Sequence, residues 1–528
     1  MRRGVVLRWP LRYGKGWLVV TLLVGFGLRL VNLGGRTLWY DEAFAVFFAR
    51  RGLEAMLYGT LTPVPGGAAD IHPLLYYVTL DGWMRVFGQS PEMVRLYSVL
   101  VGLVTLPVVY RLGTALFGRR VGVVATLITA LAPFHIQYSQ EARMYALLTL
   151  WLLLATWAYL RAWRGHGWGW WAAFGVLAAL AMYTQQLAAF YLAALGLTPL
   201  LARRWDRLAP TMGAAGLAFL LYLPWFVNLP GQLGKLRAYY WVPRPSPLRP
   251  LLTLRSFATV ALDFPAVWNL PAFFIGVVLV VFLLMQIALR RSRMPGAERR
   301  ALGWVLWLAF GSLALTWLAS QVLTPVYLDR ALLAQGVVFY VALAWLFVRG
   351  GLPKPILAVL AVLWAGVAAV GLYHHVTWQT FPNPPFDRAV AWLREQLAEG
   401  DAIIHSNKLT ALPMVYYGRG LPQRYLADRP GSPEDTLALP TQEALGLLAE
   451  PCVAKAAGGA ERVWFVIFAQ EEPQYLALPG YGAHPHLSWL RAHYTEGQPM
   501  AFRDLWIIPF TGPDAAARSG PDCGEASP

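Results

Sequence analysis

The chain has 528 residues, of which 57% are hydrophobic and only 14% charged, and its mean hydropathy is +0.46. This composition excludes an ordinary soluble enzyme with a single core and predicts a multi-pass membrane protein. The net charge of +16 would suggest nucleic acid in a soluble protein. Here the arginines cluster in short links between apolar runs, a pattern typical of cytoplasmic loops, so we expect no nucleic-acid partner.

The first apolar run predicts a retained membrane span over residues 16–33. It has no small-residue cleavage site, which argues against a removed signal peptide. The charged side chains before it are all basic and therefore indicate a cytoplasmic amino end. They are Arg2, Arg3, Arg8, Arg12 and Lys15.

A second apolar stretch, IHPLLYYVTLDGWMRVFG at residues 71–88, is predicted not to cross the membrane. It is short, and it contains Asp81 and Arg85. If it crossed, the next three basic links would all fall outside, whereas a helix lying along the outer surface leaves them inside. Residues 34–93 are therefore predicted to form a first outer loop with interfacial helices.

Ten further apolar runs are long enough to predict spans, which gives about eleven crossings and places the carboxyl end outside. They cover residues 94–113, 121–135, 142–161, 168–185, 186–202, 210–229, 268–289, 301–320, 331–348 and 355–373. Every backbone amide within hydrocarbon must find a partner in its own segment, so these runs are expected to be helical. The fold class is a multi-pass α-helical membrane protein.

The composition changes after the last span, and residues 374–510 are predicted to form an extracytoplasmic α/β domain. FDRAVAWLREQLAEGDAIIHS predicts an amphipathic helix, a glycine turn and a strand, and two later runs predict further strands. Residues 511–528 are expected to be a disordered tail. Cys452 and Cys523 show neither a disulfide framework nor a metal-ligand spacing; a bridge between them and two free thiols both remain open.

Asp41 and Glu42, in the stretch RTLWYDEAFAVFFARRG, follow the first span directly. Acidic residues at a helix start can simply cap the exposed amides, and this alternative stays open. The helix that follows has an apolar face and can lie in the interface, which would hold Asp41 at the edge of the bilayer. An acid in that position could accept a proton from a hydroxyl group, so both residues are catalytic candidates.

A second candidate group enters a span from the outer side. Glu141, Arg143 and Tyr145 lie where unpaired charge is costly and therefore indicates function or a mutual ion pair. If Glu141 and Arg143 do not simply pair with each other, the guanidinium of Arg143 is well suited to bind a phosphate.

Arg330 and His72 complete the set of candidates. Arg330 begins another span at the outer face beside Asp329, and either snorkelling or anion binding would explain it. His72 lies on the same side. Acids and anion-binding groups are thus expected to converge on one outward-facing site, which would suit an amphiphile with a phosphate head and a hydrocarbon tail.

Three stretches resemble, in order and spacing, the amino-terminal half of the GT-C superfamily of integral membrane glycosyltransferases. The most similar branch contains protein O-mannosyltransferases and lipid A aminoarabinose transferases. The resemblance covers about residues 16–200 and, more weakly, the span that starts at Arg330. The stretches are LRLVNLGGRTLWYDEAFAVFFARRG, IHPLLYYVTLDGWMRVFGQSPEMVRLYSVLVGL and FHIQYSQEARMYALLTLWLLLATWAYL.

The resemblance implies a transmembrane glycosyltransferase domain over residues 1–373 that uses a polyprenyl-phosphate sugar on the non-cytoplasmic face. By position, Asp41 resembles the proposed general base, with Glu42 beside it. His72 matches a His-Pro-Pro element in which the second proline is Leu74 in this chain. Glu141, Arg143 and Tyr145 match the outer loop that lines the donor head group.

The implied reaction is an inverting displacement in which an acceptor hydroxyl on a glycan, lipid or protein attacks the sugar. No nucleotide is expected, and a divalent metal held by Asp41 and Glu42 is a minority alternative. A transporter or flippase for a lipid-linked sugar is the alternative function. The preference for arginine over lysine and the lack of Asn-x-Ser/Thr sites fit a bacterial plasma membrane.

Overall fold

The computed structural model describes residues 14–239, 242–261, 264–428, 437–478, 480, 482–518 and 523. The basic residues predicted to mark the cytoplasmic amino end, except Lys15, lie outside this range. The described part of the chain divides into two compact units. The first unit comprises residues up to 31, 95–224 and 242–375, and the second comprises 32–94, 225–241 and residues from 376 onwards.

The helices are numbered in chain order. They are α1 (Gly14–Leu30), α2 (Tyr40–Ala49), α3 (Gly52–Leu61), α4 (Leu75–Phe87), α5 (Pro91–Phe117), α6 (Arg119–Leu131), α7 (Pro133–Ser139), α8 (Tyr145–Trp163), α9 (Trp168–Thr184), α10 (Ala188–Leu201), α11 (Leu208–Phe226), α12 (Leu229–Tyr239), α13 (Arg249–Ala258), α14 (Ala266–Arg290), α15 (Gly296–Leu306), α16 (Ser312–Val322), α17 (Leu333–Arg349), α18 (Lys354–Thr377), α19 (Phe386–Gln396), α20 (Lys408–Tyr417), α21 (Leu439–Leu445), α22 (Val453–Ala457), α23 (Glu471–Ala477), α24 (Pro485–His493) and α25 (Ala515–Arg518).

Among the residues that the structure describes, the strands form one two-stranded and one seven-stranded sheet. They are β1 (Pro63–Val64), β2 (Gly67–Ala68), β3 (Ala402–His405), β4 (Gln423–Leu426), β5 (Ala449–Glu450), β6 (Arg462–Phe468), β7 (Thr495–Glu496), β8 (Met500–Phe502) and β9 (Leu505–Thr511).

Each of the eleven predicted spans coincides with helix in the structure, but the count of eleven is not confirmed. Among the described residues, seven helical segments are long and apolar enough to cross a membrane, and a bent pair raises the number to eight. The seven are Pro91–Phe117, Tyr145–Trp163, Trp205–Phe226, Ala266–Arg290, Gly296–Val322, Asp329–Arg349 and Lys354–Thr377. Other predicted spans correspond to shorter helices, such as Gly16–Leu30 and Ala188–Leu201.

Helix α17 is the most deeply buried of these spans. Every side chain from Leu333 to Leu346 is buried, as expected for a helix that is hydrophobic on all sides. By contrast, α14 and α18 bury only a few positions and leave broad apolar faces exposed. Exposed apolar faces on helices of this length are suited to contact with lipid.

The predicted span at 121–135 is broken in the structure. Helices α6 and α7 meet at an angle of 59° at Ala132, directly before Pro133. Proline lacks an amide hydrogen and disfavours helical geometry in the residue before it, which explains the position of the break. The buried Arg29 donates to the carbonyl of Ala130 (3.0 Å) and to Nδ1 of His135 (2.7 Å), so it satisfies polar groups on both sides of the bend.

In the second unit, α4 occupies the stretch predicted to lie along the surface. It has 13 residues, which span only about 20 Å, too little to cross the hydrocarbon of a bilayer. Its buried side chains, Tyr76, Tyr77, Leu80 and Met84, recur at helical spacing on one face. The helix ends at Gly88, whose φ of +88° favours glycine.

The α/β part of the second unit has a mixed sheet with helices on both faces. Strands β5, β4, β3 and β6 are parallel in that order, and β9 adds antiparallel to β6. Val463, Phe465 and Ile467 of β6 face one core with α22 and α24. The alternate side chains of β6 face a second core with α19 and α20.

The disordered tail over residues 511–528 stays a prediction, and the structure describes regular elements only at its start. Strand β9 extends to Thr511, and residues Ala515–Arg518 form α25. Cys452 and Cys523 are joined by a disulfide, which decides between the two alternatives left open by the sequence. Residues 519–522 and 524–528 of the predicted tail lie outside the described residues.

Candidate active site

The turn between α7 and α8 in the first unit holds the second group of predicted residues. Glu141 and Arg143 are 5% and 4% exposed, so two ionisable side chains are buried where the chain enters a span. The amide of Arg143 donates a hydrogen bond to the carbonyl of Glu141 (2.8 Å), which closes a tight turn between the two residues. Buried charge at the end of a span is costly and indicates a function or a specific partner.

Tyr145 and Arg330 are in contact in this unit. The sequence predicted that the candidate residues would converge, but it did not predict this pair. The guanidinium carbon of Arg330 lies over the Tyr145 ring at 5.6 Å from its centroid, within the range of a cation–π contact. The ring of Tyr138 meets that of Tyr145 edge to face at 5.2 Å. We call Glu141, Arg143, Tyr145 and Arg330 the α8–α17 cluster.

Asp329 has a different role from its neighbour Arg330. Its carboxylate accepts hydrogen bonds from Thr253 (3.0 Å) and Ser256 (2.8 Å) and pairs with Arg249 at 3.1 Å. These three partners come from α13, so Asp329 fixes that helix to the start of α17. The sequence offered no signal for this contact, because the partners are about 75 residues apart in the chain.

The acidic motif belongs to the second unit. Asp41 and Glu42 occupy the first turn of α2, where the exposed backbone amides and the helix dipole stabilise acidic side chains. Glu42 is fully buried, whereas Asp41 is half-buried. Only Asp41 therefore has a surface that a hydroxyl group could approach, and the structure separates two residues that the sequence could not rank.

His72 also belongs to the second unit, and its partner was missed at the sequence level. Its Nδ1 lies 3.1 Å from Oδ1 of Asp70, a carboxylate that is 9% exposed. Burial alone would raise the pKa of Asp70, but His72, the amide of Ile71 and Lys235 together lower it below its ordinary value. Asp70 is thus held ionised and orients the imidazole. The only hint in the sequence was an acid two residues before His72.

The structure thus groups the candidates as two sets. The α8–α17 cluster lies in the first unit, and Asp41, Glu42 and His72 lie in the second. Their expected convergence on one site stays a prediction. Within the part of the chain that is described, His, Cys, Asp and Glu side chains form no group of three or more that could hold a metal ion. A metal bound by Asp41 and Glu42 also stays a prediction.

The chain is similar in sequence and in fold to known proteins. Residues 71–228 match the family model of dolichyl-phosphate-mannose-protein mannosyltransferases. The fold is similar to that of ArnT from Cupriavidus metallidurans bound to undecaprenyl phosphate, with a TM-score of 0.62 and 14% identity over 95% of this chain and 100% of that one. The chain has the GT-C fold.

A second GT-C structure supports the assignment. The apo oligosaccharyltransferase of Archaeoglobus fulgidus aligns with a TM-score of 0.51 and 14% identity, over 96% of this chain and 77% of that one. No curated protein matches the sequence significantly. The predicted GT-C resemblance is confirmed by the family match and the fold, and the family match agrees with the predicted class of membrane glycosyltransferase.

Proposed function

We propose that this GT-C protein transfers a sugar from a polyprenyl-phosphate donor to an acceptor hydroxyl on the extracytoplasmic face, with inversion at the anomeric carbon. The observation that carries the proposal is the α8–α17 cluster. It presents two guanidinium groups, the buried Arg143 and the ring-stacked Arg330, at the ends of membrane spans. Arginine binds phosphate by paired, charge-assisted hydrogen bonds, so this cluster suits the head of a lipid phosphate.

The role proposed for the cluster is to stabilise the negative charge that develops on the leaving group. As the bond between the anomeric carbon and the phosphate oxygen breaks, polyprenyl phosphate departs with the electron pair and gains negative charge. Cations fixed in advance at that position stabilise the transition state more than the ground state. ArnT, which shares the fold, has been crystallised with undecaprenyl phosphate, and a donor of that lipid class is consistent with this role.

Asp41 is the proposed base. The acceptor hydroxyl transfers its proton to the Asp41 carboxylate while its oxygen forms the new bond to the anomeric carbon. The half-buried position of Asp41 at the start of α2 suits this role, whereas the fully buried Glu42 suits a structural one. His72, held by Asp70, is proposed to contact substrate.

The location of the cluster favours a transferase over the alternative transporter. Arg143 precedes the first residue of α8 and Arg330 precedes that of α17, so both charges lie at span ends. Transporters normally place such groups near the midplane, at discontinuous helices in repeated halves.

The extracytoplasmic assignment has its own support. A disulfide joins Cys452 to Cys523, and disulfides persist in oxidising compartments outside the cytoplasm. The arginine-rich links between spans are typical of cytoplasmic loops, which also places the carboxyl-terminal part of the chain outside the cytoplasm.

The proposal is tested by turnover of a labelled polyprenyl-phosphate sugar in membranes that contain the full chain. Asp41→Asn should reduce the rate of transfer by roughly 10²- to 10⁴-fold, the usual contribution of a general base. Glu54→Gln, which removes an exposed acid from the neighbouring helix, should leave the rate unchanged. Wild-type turnover in Asp41→Asn would remove the base assignment. Movement of the labelled lipid across the bilayer without product would favour the transporter.

A further inference from the structure

A large cavity lies in the first unit, away from the α8–α17 cluster. Its volume is about 840 Å³, and it is bounded by the ends of α5, α8, α10 and α15. This size lies within the range of ligand-binding pockets in proteins. Most of its wall is aromatic or aliphatic, including Tyr159, Trp163, Trp304 and Trp307.

The aromatic wall is held in place by hydrogen bonds to a neighbouring helix. The indole nitrogen of Trp304 donates to the hydroxyl of Thr198 (3.2 Å), and that of Trp307 donates to the carbonyl of Ala194 (2.7 Å). The ring of Tyr159 stacks on that of Trp304 with their centroids 6.3 Å apart. Because these indole nitrogens already have acceptors in α10, the ring faces are left to line an apolar surface.

The rim of the cavity is basic. Arg164, Arg204 and Arg300 are exposed and line the cavity, and the lining residues within the described ranges include no acid. Arg204 pairs with Asp206 at 2.6 Å, but Asp206 is shared with Arg207 at 3.2 Å. The rim therefore carries a net positive charge beside an apolar interior.

The cavity and the α8–α17 cluster lie at opposite ends of the same helix. Tyr145 is the first residue of α8, and Arg164 follows its last residue. A helix of 19 residues is about 28 Å long, so one phosphate group cannot reach both places. The basic end is the end that the positive-inside pattern assigns to the cytoplasmic leaflet.

We propose that this cavity binds an anionic phospholipid, with an acyl chain against the tryptophans and the head-group phosphate between Arg164 and Arg300. Positive charge around an apolar recess is complementary to an amphiphile with an anionic head, and basic pockets between spans on the cytoplasmic side bind such head groups. A membrane phospholipid is the occupant because it is the abundant anion of that leaflet. The site is separate from the one proposed for the donor and does not depend on it.

The test is a titration of the purified full chain with dioleoylphosphatidylglycerol, followed by native mass spectrometry. The double variant Arg164→Gln/Arg300→Gln removes two head-group contacts and should weaken apparent affinity roughly thirty-fold. The matched control Arg291→Gln/Arg293→Gln removes two exposed arginines from the adjacent basic link, which do not line the cavity, and should bind as the wild type does.

Three results would overturn the proposal. The first is equal loss of binding in both double variants, which would indicate general surface charge. The second is unchanged binding in Arg164→Gln/Arg300→Gln at an unchanged melting temperature. The third is an equal response when dioleoylphosphatidylcholine, inorganic phosphate or undecaprenyl phosphate replaces the anionic lipid, because each would assign the cavity to a different ligand.

Discussion

At the scale of single residues, burial distinguishes candidates that look equivalent in the sequence. Asp41 and Glu42 are adjacent and both lie in the first turn of α2, yet only Asp41 is partly accessible. The sequence could place both at the edge of a span because charge and hydropathy determine that position. It could not rank them, because their exposure depends on the packing of distant segments around α2.

Arg330 gives the first prediction at this scale. Arg330→Gln should lower kcat/KM for the lipid-linked sugar by about 10²- to 10³-fold, because one fixed electrostatic contact to a developing charge is worth about 3 kcal/mol. Arg330→Lys should recover only part of this loss, since an ammonium group lacks the planar fork of a guanidinium. The rates are measured in the same membranes as a control, Arg85→Gln, in which an exposed arginine paired with Asp81 is changed. Wild-type kinetics in Arg330→Gln would remove Arg330 from the site.

His405 gives a prediction on stability. It is fully buried in β3, where burial lowers its pKa to about 4 from the ordinary 6.5. Between these two values the unfolded chain binds a proton that the folded chain does not, so stability falls as the pH decreases. The shift corresponds to about 2 kcal/mol lost between pH 7 and pH 5.

Hydrogen exchange of β6 in the full chain measures this loss. Strand β6 pairs directly with β3, so its opening reports on the same sheet. The pH dependence should be smaller by about 2 kcal/mol in His405→Gln, which does not titrate. Identical pH dependence in variant and wild type would show that His405 does not carry the effect.

At the scale of elements, α2 is fixed by helices of the α/β part of the second unit. The hydroxyl of Tyr417, at the end of α20, accepts a hydrogen bond from the amide of Leu38 (2.8 Å), just before α2. After α2, Arg51 donates to the carbonyl of Leu445 in α21 (2.7 Å). The α/β part therefore holds both ends of the helix that carries Asp41, which gives it a role that the sequence did not show.

Tyr417→Phe should weaken this support. The change leaves the Leu38 amide without its acceptor, at a cost of about 1 kcal/mol, and we expect a several-fold lower rate of transfer. Faster hydrogen exchange over residues 38–49 should accompany the loss of rate. Tyr373→Phe, which alters an exposed tyrosine on α18, serves as the control. Unchanged exchange over residues 38–49 would contradict the assigned support.

The spans were the most predictable elements and their breaks the least. Long apolar runs must be helical in lipid, so each predicted span coincides with helix. The bend between α6 and α7 could be suspected from Pro133, but its direction depends on packing and on Arg29. Likewise, α13 was not predicted, because its contacts with Asp329 join segments that are distant in the chain.

At the scale of the whole molecule, the described residues divide into two units, and the predicted domain bounds of 1–373 and 374–510 stay a prediction. The prediction assigned residues 34–93 to the transmembrane domain, whereas the structure groups residues 32–94 with residues from 376 onwards. Hydropathy could not reveal this grouping, because it depends on contacts such as the hydrogen bond from Thr441 to the carbonyl of Gly59 (2.8 Å).

The disulfide gives a prediction about orientation. If residues from 376 onwards lie outside the cytoplasm, Cys452 and Cys523 should resist maleimide labelling in denatured cell extracts until a reductant is added. Cys452→Ser should expose Cys523 to labelling without reduction. Two reactive thiols in the untreated wild type would place this part of the chain in a reducing compartment and contradict the proposed orientation.

The most direct test of the central claim is an experimental structure of the full chain with undecaprenyl phosphate. The account predicts the phosphate within hydrogen-bond distance of the guanidinium groups of Arg143 and Arg330, beside Tyr145. A phosphate bound elsewhere on the chain, with both arginines turned away from it, would contradict the assignment of the α8–α17 cluster as the donor site.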